Sequence, residues 1–155
     1  MRDIILLRHA EAMPSSPDGA DTGRPLSSHG EQEAHAAGAW LAAQNASPEL
    51  ALVSTARRAM MTAERALAAL PQTSLRYESA IYDATPGELL RLLDECGAEQ
   101  VLLVGHNPGM EQLVALLVSG QSGDFRGMPP GAIARLRVTG ELEPGAATLE
   151  AFWSP

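Results

Sequence analysis

An arginine beside a histidine closes the first apolar run of this 155-residue chain: Ile4-Ile5-Leu6-Leu7 leads straight into Arg8-His9. Related junctions occur twice more. "ELALVS" (49–54) runs into "TARRA", with Arg57 and Arg58 at the start of a helical pattern, and "VLLVG" (101–105) is followed by His106 and then Asn107-Pro108. Guanidinium groups are planar, permanently charged forks that match phosphate oxygens, and helix N-termini add backbone N–H donors. A neutral imidazole can attack phosphorus and carry the phosphoryl group as phosphohistidine, dividing a transfer into two steps. A second imidazole, protonated, can stabilise the charge that spreads over the equatorial oxygens. Gathered in one place, these groups would perform phosphoryl transfer without a metal ion, and neither a metal nor another cofactor is expected.

Short apolar runs alternate with helical patterns, which predicts an α/β fold with a mostly parallel sheet. Ser28 with Glu31 reads as a capping box opening the first helix, and Ala34, Ala37 and Leu41 form its apolar stripe. Ala59, Ala63, Ala66, Leu67 and Leu70 define a face of a second helix beginning near Arg57. Thr85, Pro86 and Glu88 start a third, which should stop at Gly97, and Asn107-Pro108 starts a fourth, ending before Gly120. "AIARLRV" (132–138) and "TLEAFW" (148–153), joined by a turn, predict a terminal antiparallel hairpin. Ligand sites of such sheets lie beyond the carboxyl ends of the strands, so the three polar junctions can converge there. "MPSSPDGADTGRP" (13–25) and "SGQSGDFRGMPPG" (119–131) read as surface loops, the second near the pocket mouth.

Composition narrows the function. A net charge of −8 and a pI near 4.9 argue against binding nucleic acid or an anionic membrane. The single cysteine, Cys96, excludes an internal disulfide framework and a cysteine-based zinc cluster. Four apolar residues before Arg8 are too few for a signal-peptide core, and no run approaches the roughly 20 residues of a membrane span. The expectation is one domain over 1–155, cytoplasmic. His29 and His35, six apart, lack the spacing of a helical metal pair and read as surface residues. Glu11 beside His9 has no companions to complete a ligand set. Met60 and Met61 read as fillers of core gaps.

Four stretches, in order, resemble the histidine phosphatase superfamily, whose fold is phosphoglycerate mutase-like, a three-layer α/β/α arrangement. "LLRHAEA" is similar to its RH(G/A) motif, "STARRAMMTAE" (54–64) to its S-x-A-x-R-A-x-x-T-A block, and "VLLVGHNPGMEQL" (101–113) to its V-x-x-V-G-H-N-P block. "GRPLSSHGEQEA" (23–34) resembles the R-P-L-(S/T)-x-x-G segment of the small SixA-type phosphohistidine phosphatases. The resemblance implies that His9 is the nucleophile, Arg8 its phosphate-binding neighbour, Arg58 rather than Arg57 the second phosphate ligand, and His106 the second imidazole. It also points to Arg24 and Asn107 as phosphate or substrate contacts. Thr55 and Met61 depart from the usual Pro and Gln of the second block, at positions that carry no chemistry.

Relatives that cleave phosphomonoesters place a carboxylic acid after the third strand to protonate an alkoxide. Here that region reads "RYESAIYDA" (76–84) and offers Glu78 or Asp83 without a clear match. A phosphoramidate releases an imidazole, a far better leaving group, so a missing acid favours phosphohistidine on a partner protein as substrate. The alternatives are a broad phosphomonoesterase of small phosphoesters, using Glu78 or Asp83, and a phosphate-binding module without turnover. The mechanism asks for His9 unprotonated and His106 protonated, which predicts a bell-shaped pH profile.

Overall fold

A computed structural model describes residues 1–155. Six strands, β1 (Arg2–Arg8), β2 (Leu50–Val53), β3 (Ser74–Tyr77), β4 (Gln100–Gly105), β5 (Ile133–Val138) and β6 (Ala147–Trp153), form one sheet in the order β3-β2-β4-β1-β5-β6. Strands β3, β2, β4 and β1 are parallel neighbours, and β5 and β6 add the expected antiparallel hairpin beside β1. Helices α1 (Ser28–Ala43), α2 (Arg57–Leu67), α3 (Pro86–Cys96) and α4 (Gly109–Ser119) fill the connections. None is long and apolar enough to cross a membrane.

The central strands read as unbroken apolar runs because both faces are covered. Along β1, Ile4 and Leu6 join a core with α3 and α4, whereas Ile5 and Leu7 join a second core with α1 and α2. Val101 and Leu103 of β4 share the first core, and Leu102 and Val104 the second. All eight side chains are fully buried, and burial of each contributes about 1.5–3 kcal/mol. The product is three layers, α/β/α, with the buried core directly beneath the strand ends.

Some details differ from the sequence pattern. Ser27, not Ser28, caps α1, its Oγ accepting from the Gly30 N–H at 3.0 Å. Ser27 is held extended because its N–H donates to the Glu11 carbonyl, so Ser28 is already helical, and Glu31 turns to Arg65 at 2.7 Å. Strand β3 has no counterpart in the apolar pattern because all four of its residues are exposed on the sheet edge. Helix α2 stops at Leu67, short of Leu70, and Pro108 rather than Asn107 is the N-cap of α4, whereas the Thr85–Glu88 capping box is complete and α3 ends at Gly97 in the left-handed region.

The segment after His9 is clamped to the start of α1. Ala12 pairs with Leu26, the Met13 N–H donates to the Pro25 carbonyl, and the Glu11 N–H to Glu33 Oε1. Gly30 permits this approach, since a Cβ there would lie 2.0 Å from the Glu11 carbonyl oxygen. Gly30→Ala should therefore lower the unfolding free energy by about 1–3 kcal/mol. Gly87→Ala, whose Cβ would meet nothing within 4 Å, is the control and should be near neutral in the same urea titration.

Candidate active site

Register brings the polar junctions together. Arg8 lies opposite Gly105 in the β1–β4 ladder, and the His9 N–H continues the ladder to the Gly105 carbonyl at 3.0 Å. His9 and His106 therefore emerge side by side, with ring centroids 5.0 Å apart and both rings buried. On the other side of β4, Ser54 follows β2 and its N–H donates to Val104. Arg58 enters from the first turn of α2 and is buried, whereas Arg57 next to it is exposed.

Each of these side chains is gripped by the protein through part of its polar edge. His9 Nδ1 lies 2.8 Å from the Ala10 carbonyl, which can only accept, so Nδ1 carries the proton and Nε2 the lone pair. Arg8 Nη1 donates to the Met128 carbonyl at 2.8 Å. Arg58 donates from Nη1 to the Asp21 carbonyl oxygen at 2.8 Å and from Nη2 to Asp21 Oδ2 at 3.0 Å. His106 Nε2 lies 2.7 Å from the fully buried Ser54 Oγ. Thr62 ties the frame together, donating to the Arg58 carbonyl at 2.7 Å and accepting from the Ala10 N–H at 3.0 Å. The buried side-chain atoms left without any partner in the whole chain are Arg8 Nε, Arg58 Nε and His106 Nδ1.

The remaining sequence candidates lie farther out. Arg24 is partly exposed and donates to Asp21 Oδ1 at 3.0 Å and to the Met13 carbonyl at 2.9 Å. Asn107 receives the Glu111 N–H of α4 on Oδ1 and donates Nδ2 to the Met128 carbonyl, bracing the loop that also receives Arg8. Glu78 pairs with Arg76 at 2.9 Å, and Asp83 is exposed, so neither carboxylate is bonded to the histidine–arginine cluster. The carboxylate that is bonded to it, Asp21, was not singled out by its pattern. Nor was Tyr82, whose hydroxyl donates to Asp21 Oδ2 and whose ring meets His106 edge-on at 5.4 Å. Loop 119–131 reaches the cluster through the Met128 carbonyl, and His29 and His35 are exposed. No three His, Cys, Asp or Glu side chains gather into a metal-ligand set.

Burial dominates the electrostatics. It pushes His9 down to about 3, helped by His106, Arg58 and Arg8 and opposed by the bond to Ala10. It pushes His106 down to about 4, with Arg58, Arg8 and Arg24 acting in the same sense and Asp21 in the opposite one. From the protein's own charges, both imidazoles are thus neutral at neutral pH, and the protonated His106 expected from the sequence is not the resting form. A dianion seated among these groups would supply negative charge, which raises an imidazole. The arrangement offers a nucleophilic imidazole nitrogen, two guanidinium donors and a second imidazole around one point.

Comparison with known proteins agrees with this geometry. The model of the histidine phosphatase superfamily (branch 1) matches residues 4–89. An uncharacterised protein of Mycobacterium tuberculosis strain H37Rv is 35% identical, over 96% of this chain and 99% of its own. A structure assigned as the phosphohistidine phosphatase SixA of Agrobacterium tumefaciens superposes with a TM-score of 0.84 at 28% identity, covering 99% of both chains. The protein histidine phosphatase SixA complexed with tungstate gives a TM-score of 0.82 at 26% identity, covering 98% of this chain and 96% of the other.

The depressed histidines carry a stability consequence whose sign is set by which state binds protons. Above the ordinary value of 6.5 both the folded and unfolded forms are neutral and nothing is lost. As pH falls below it, the unfolded chain takes up protons that the folded chain refuses. Stability is then lost until His106 protonates at about 4 and His9 at about 3. Each contributes a slope of up to about 1.4 kcal/mol per pH unit. Urea unfolding at about pH 7 and about pH 5 should show His106→Asn losing less stability than wild type across that interval; equal losses would contradict the assignment.

Proposed function

The chain belongs to branch 1 of the histidine phosphatase superfamily and is a phosphatase, and from that premise we propose that it removes the phosphoryl group from phosphohistidine on a partner protein, through a phosphohistidine of its own at His9. The observation that carries this reading is the set of unpaired buried nitrogens. Leaving a buried N–H without an acceptor costs about 1–3 kcal/mol, and here that cost falls on Arg8 Nε and Arg58 Nε, with His106 Nδ1 a third unpartnered buried nitrogen that is a donor once the ring is protonated. Phosphoryl oxygens are the acceptors that would satisfy them, because two of the three donors are permanent cations.

In this mechanism His9 Nε2 attacks phosphorus in line with the bond to the substrate imidazole. That P–N bond breaks, its electron pair returns to the leaving ring, and the ring's other nitrogen keeps its proton. Arg8 and Arg58 neutralise the equatorial oxygens, and His106, made a cation by the arriving dianion, donates from Nδ1 while Ser54 accepts from Nε2. Water then attacks phosphorus, the P–Nε2 bond breaks, inorganic phosphate leaves and His9 returns to its tethered neutral form. Nothing in the cycle requires a metal ion, because the cationic side chains supply the positive charge.

Two features support a phosphoramidate on a protein over a small phosphoester. Neither Glu78 nor Asp83 is bonded to the cluster to protonate an alkoxide, which an imidazole leaving group does not need. The other is the short connections: six strands, four α-helices and two 3-10 turns account for the regular elements, with no large element inserted over the strand ends. The tungstate complex of the SixA neighbour supports oxyanion binding by this fold.

Incubation with a phosphohistidine-bearing protein should label the chain with acid-labile, alkali-stable phosphate. His9→Ala should carry no label and lose about a thousandfold or more in turnover. kcat/KM should favour the phosphoprotein over p-nitrophenyl phosphate, and EDTA should leave both rates unchanged. A preference for the ester would transfer the assignment to a phosphomonoesterase, and an unlabelled wild type would rule out the covalent route.

A further inference from the structure

We propose that Asp21 is the positioning residue of the phosphoryl pocket: it holds the Arg58 guanidinium through one N–H of each terminal nitrogen, so that the buried Nε–H is left for the substrate. The inference rests on the phosphatase reading above and goes beyond it, because Asp21 lies outside the strand-end junctions.

Arg58 is an awkward cation. It is buried, and it stands in the first turn of α2, where the helix dipole repels positive charge. A carboxylate must compensate it or the side chain would swing out to solvent as Arg57 does. Asp21 is the carboxylate in contact with it, reaching from 37 residues upstream in a short 3-10 turn, Asp21–Gly23. The grip has two points: the Asp21 main-chain carbonyl takes Nη1 and the carboxylate takes Nη2. Each terminal nitrogen has a bond to Asp21, while Nε is buried and unpaired.

Asp21 is itself fixed from two further directions. Arg24 donates to its other carboxylate oxygen at 3.0 Å, and the Tyr82 hydroxyl donates to Oδ2. The Tyr82 bond foremost, then Arg58 and Arg24, hold Asp21 at about 2 against the opposing effect of desolvation, so it is a constant anion rather than a proton donor at neutral pH. Tyr82 also carries the network to the second imidazole, its ring edge-on to His106 and 5.8 Å from the Arg58 guanidinium carbon. One carboxylate therefore sets the orientation of Arg58 and, through Tyr82, packs the wall against which His106 rests.

A carboxylate touching a phosphate-binding arginine could instead compete with phosphate for it, and the two roles predict opposite signs. Calorimetric titration with inorganic phosphate separates them. Asp21→Ala should weaken phosphate about 10- to 100-fold, the loss expected when a charge-assisted tether is cut. Asp21→Asn, which keeps an acceptor oxygen, should fall in between. Tyr82→Phe should weaken phosphate in the wild-type background and have little further effect beside Asp21→Asn, because both act through one contact. Melting temperatures within a few degrees of wild type exclude a general loss of fold; should Asp21→Ala fail to fold, Asp21→Asn and the Tyr82 cycle carry the test.

Phosphate bound as tightly or more tightly by the Asp21 variants overturns the proposal, as does strict additivity with Tyr82→Phe. The readout is binding, so it is separate from the chemistry at His9. Weakened phosphate with no label on wild-type His9 would support the tether while counting against the reaction.

Discussion

The hydrogen-bonded register between β1 and β4 is the constraint on which the site depends. With Arg8 opposite Gly105, the residues that follow each strand, His9 and His106, leave the sheet as neighbours. A slip of one residue would turn Ile4–Leu7 inside out and send the two imidazoles to different faces. Every residue from Ile4 to Leu7 and Val101 to Val104 fills a core position on one side or the other, so a slip would have to repack both cores at once. The close packing of both cores thus serves the chemistry by opposing any other pairing.

Above that frame the site obeys a second rule: a polar side chain is held by part of its edge and keeps another part free. Carbonyls do most of the holding, from Ala10, Met128 and Asp21, with the Ser54 hydroxyl on His106. The neutral acceptors on His9, Arg8 and His106 fix direction without cancelling charge, whereas Arg58 is also paired with the Asp21 carboxylate. Orienting groups before the substrate arrives also removes the cost of reorganising them during reaction. The same economy explains why burial lowers both imidazoles: they are kept neutral until an anion supplies the partner charge.

Much of this was legible in the chain itself. Strand ends could be read from short apolar runs, and Arg8, His9, Arg58 and His106 stand where those runs stop. Burial separates Arg58 from Arg57 in the direction expected. What could not be read were the partners. Ser54 meets His106 across 52 residues and Tyr82 meets Asp21 across 61, pairings created only by the sheet order. A backbone carbonyl such as that of Met128 has no signature in any residue type. Asp21 sits in a Pro-, Ser- and Gly-rich stretch where an aspartate is ordinary turn chemistry. The exposed edge strand β3 escaped because it buries nothing.

A crystal structure with orthovanadate, which mimics the five-coordinate phosphorus of transfer, would test the arrangement at atomic level. The account requires vanadium bonded to His9 Nε2, with Arg8 Nε, Arg58 Nε and His106 Nδ1 each within hydrogen-bonding distance of its oxygens. Vanadium bonded to any other atom, or those three nitrogens still unpaired with the anion bound, would contradict it.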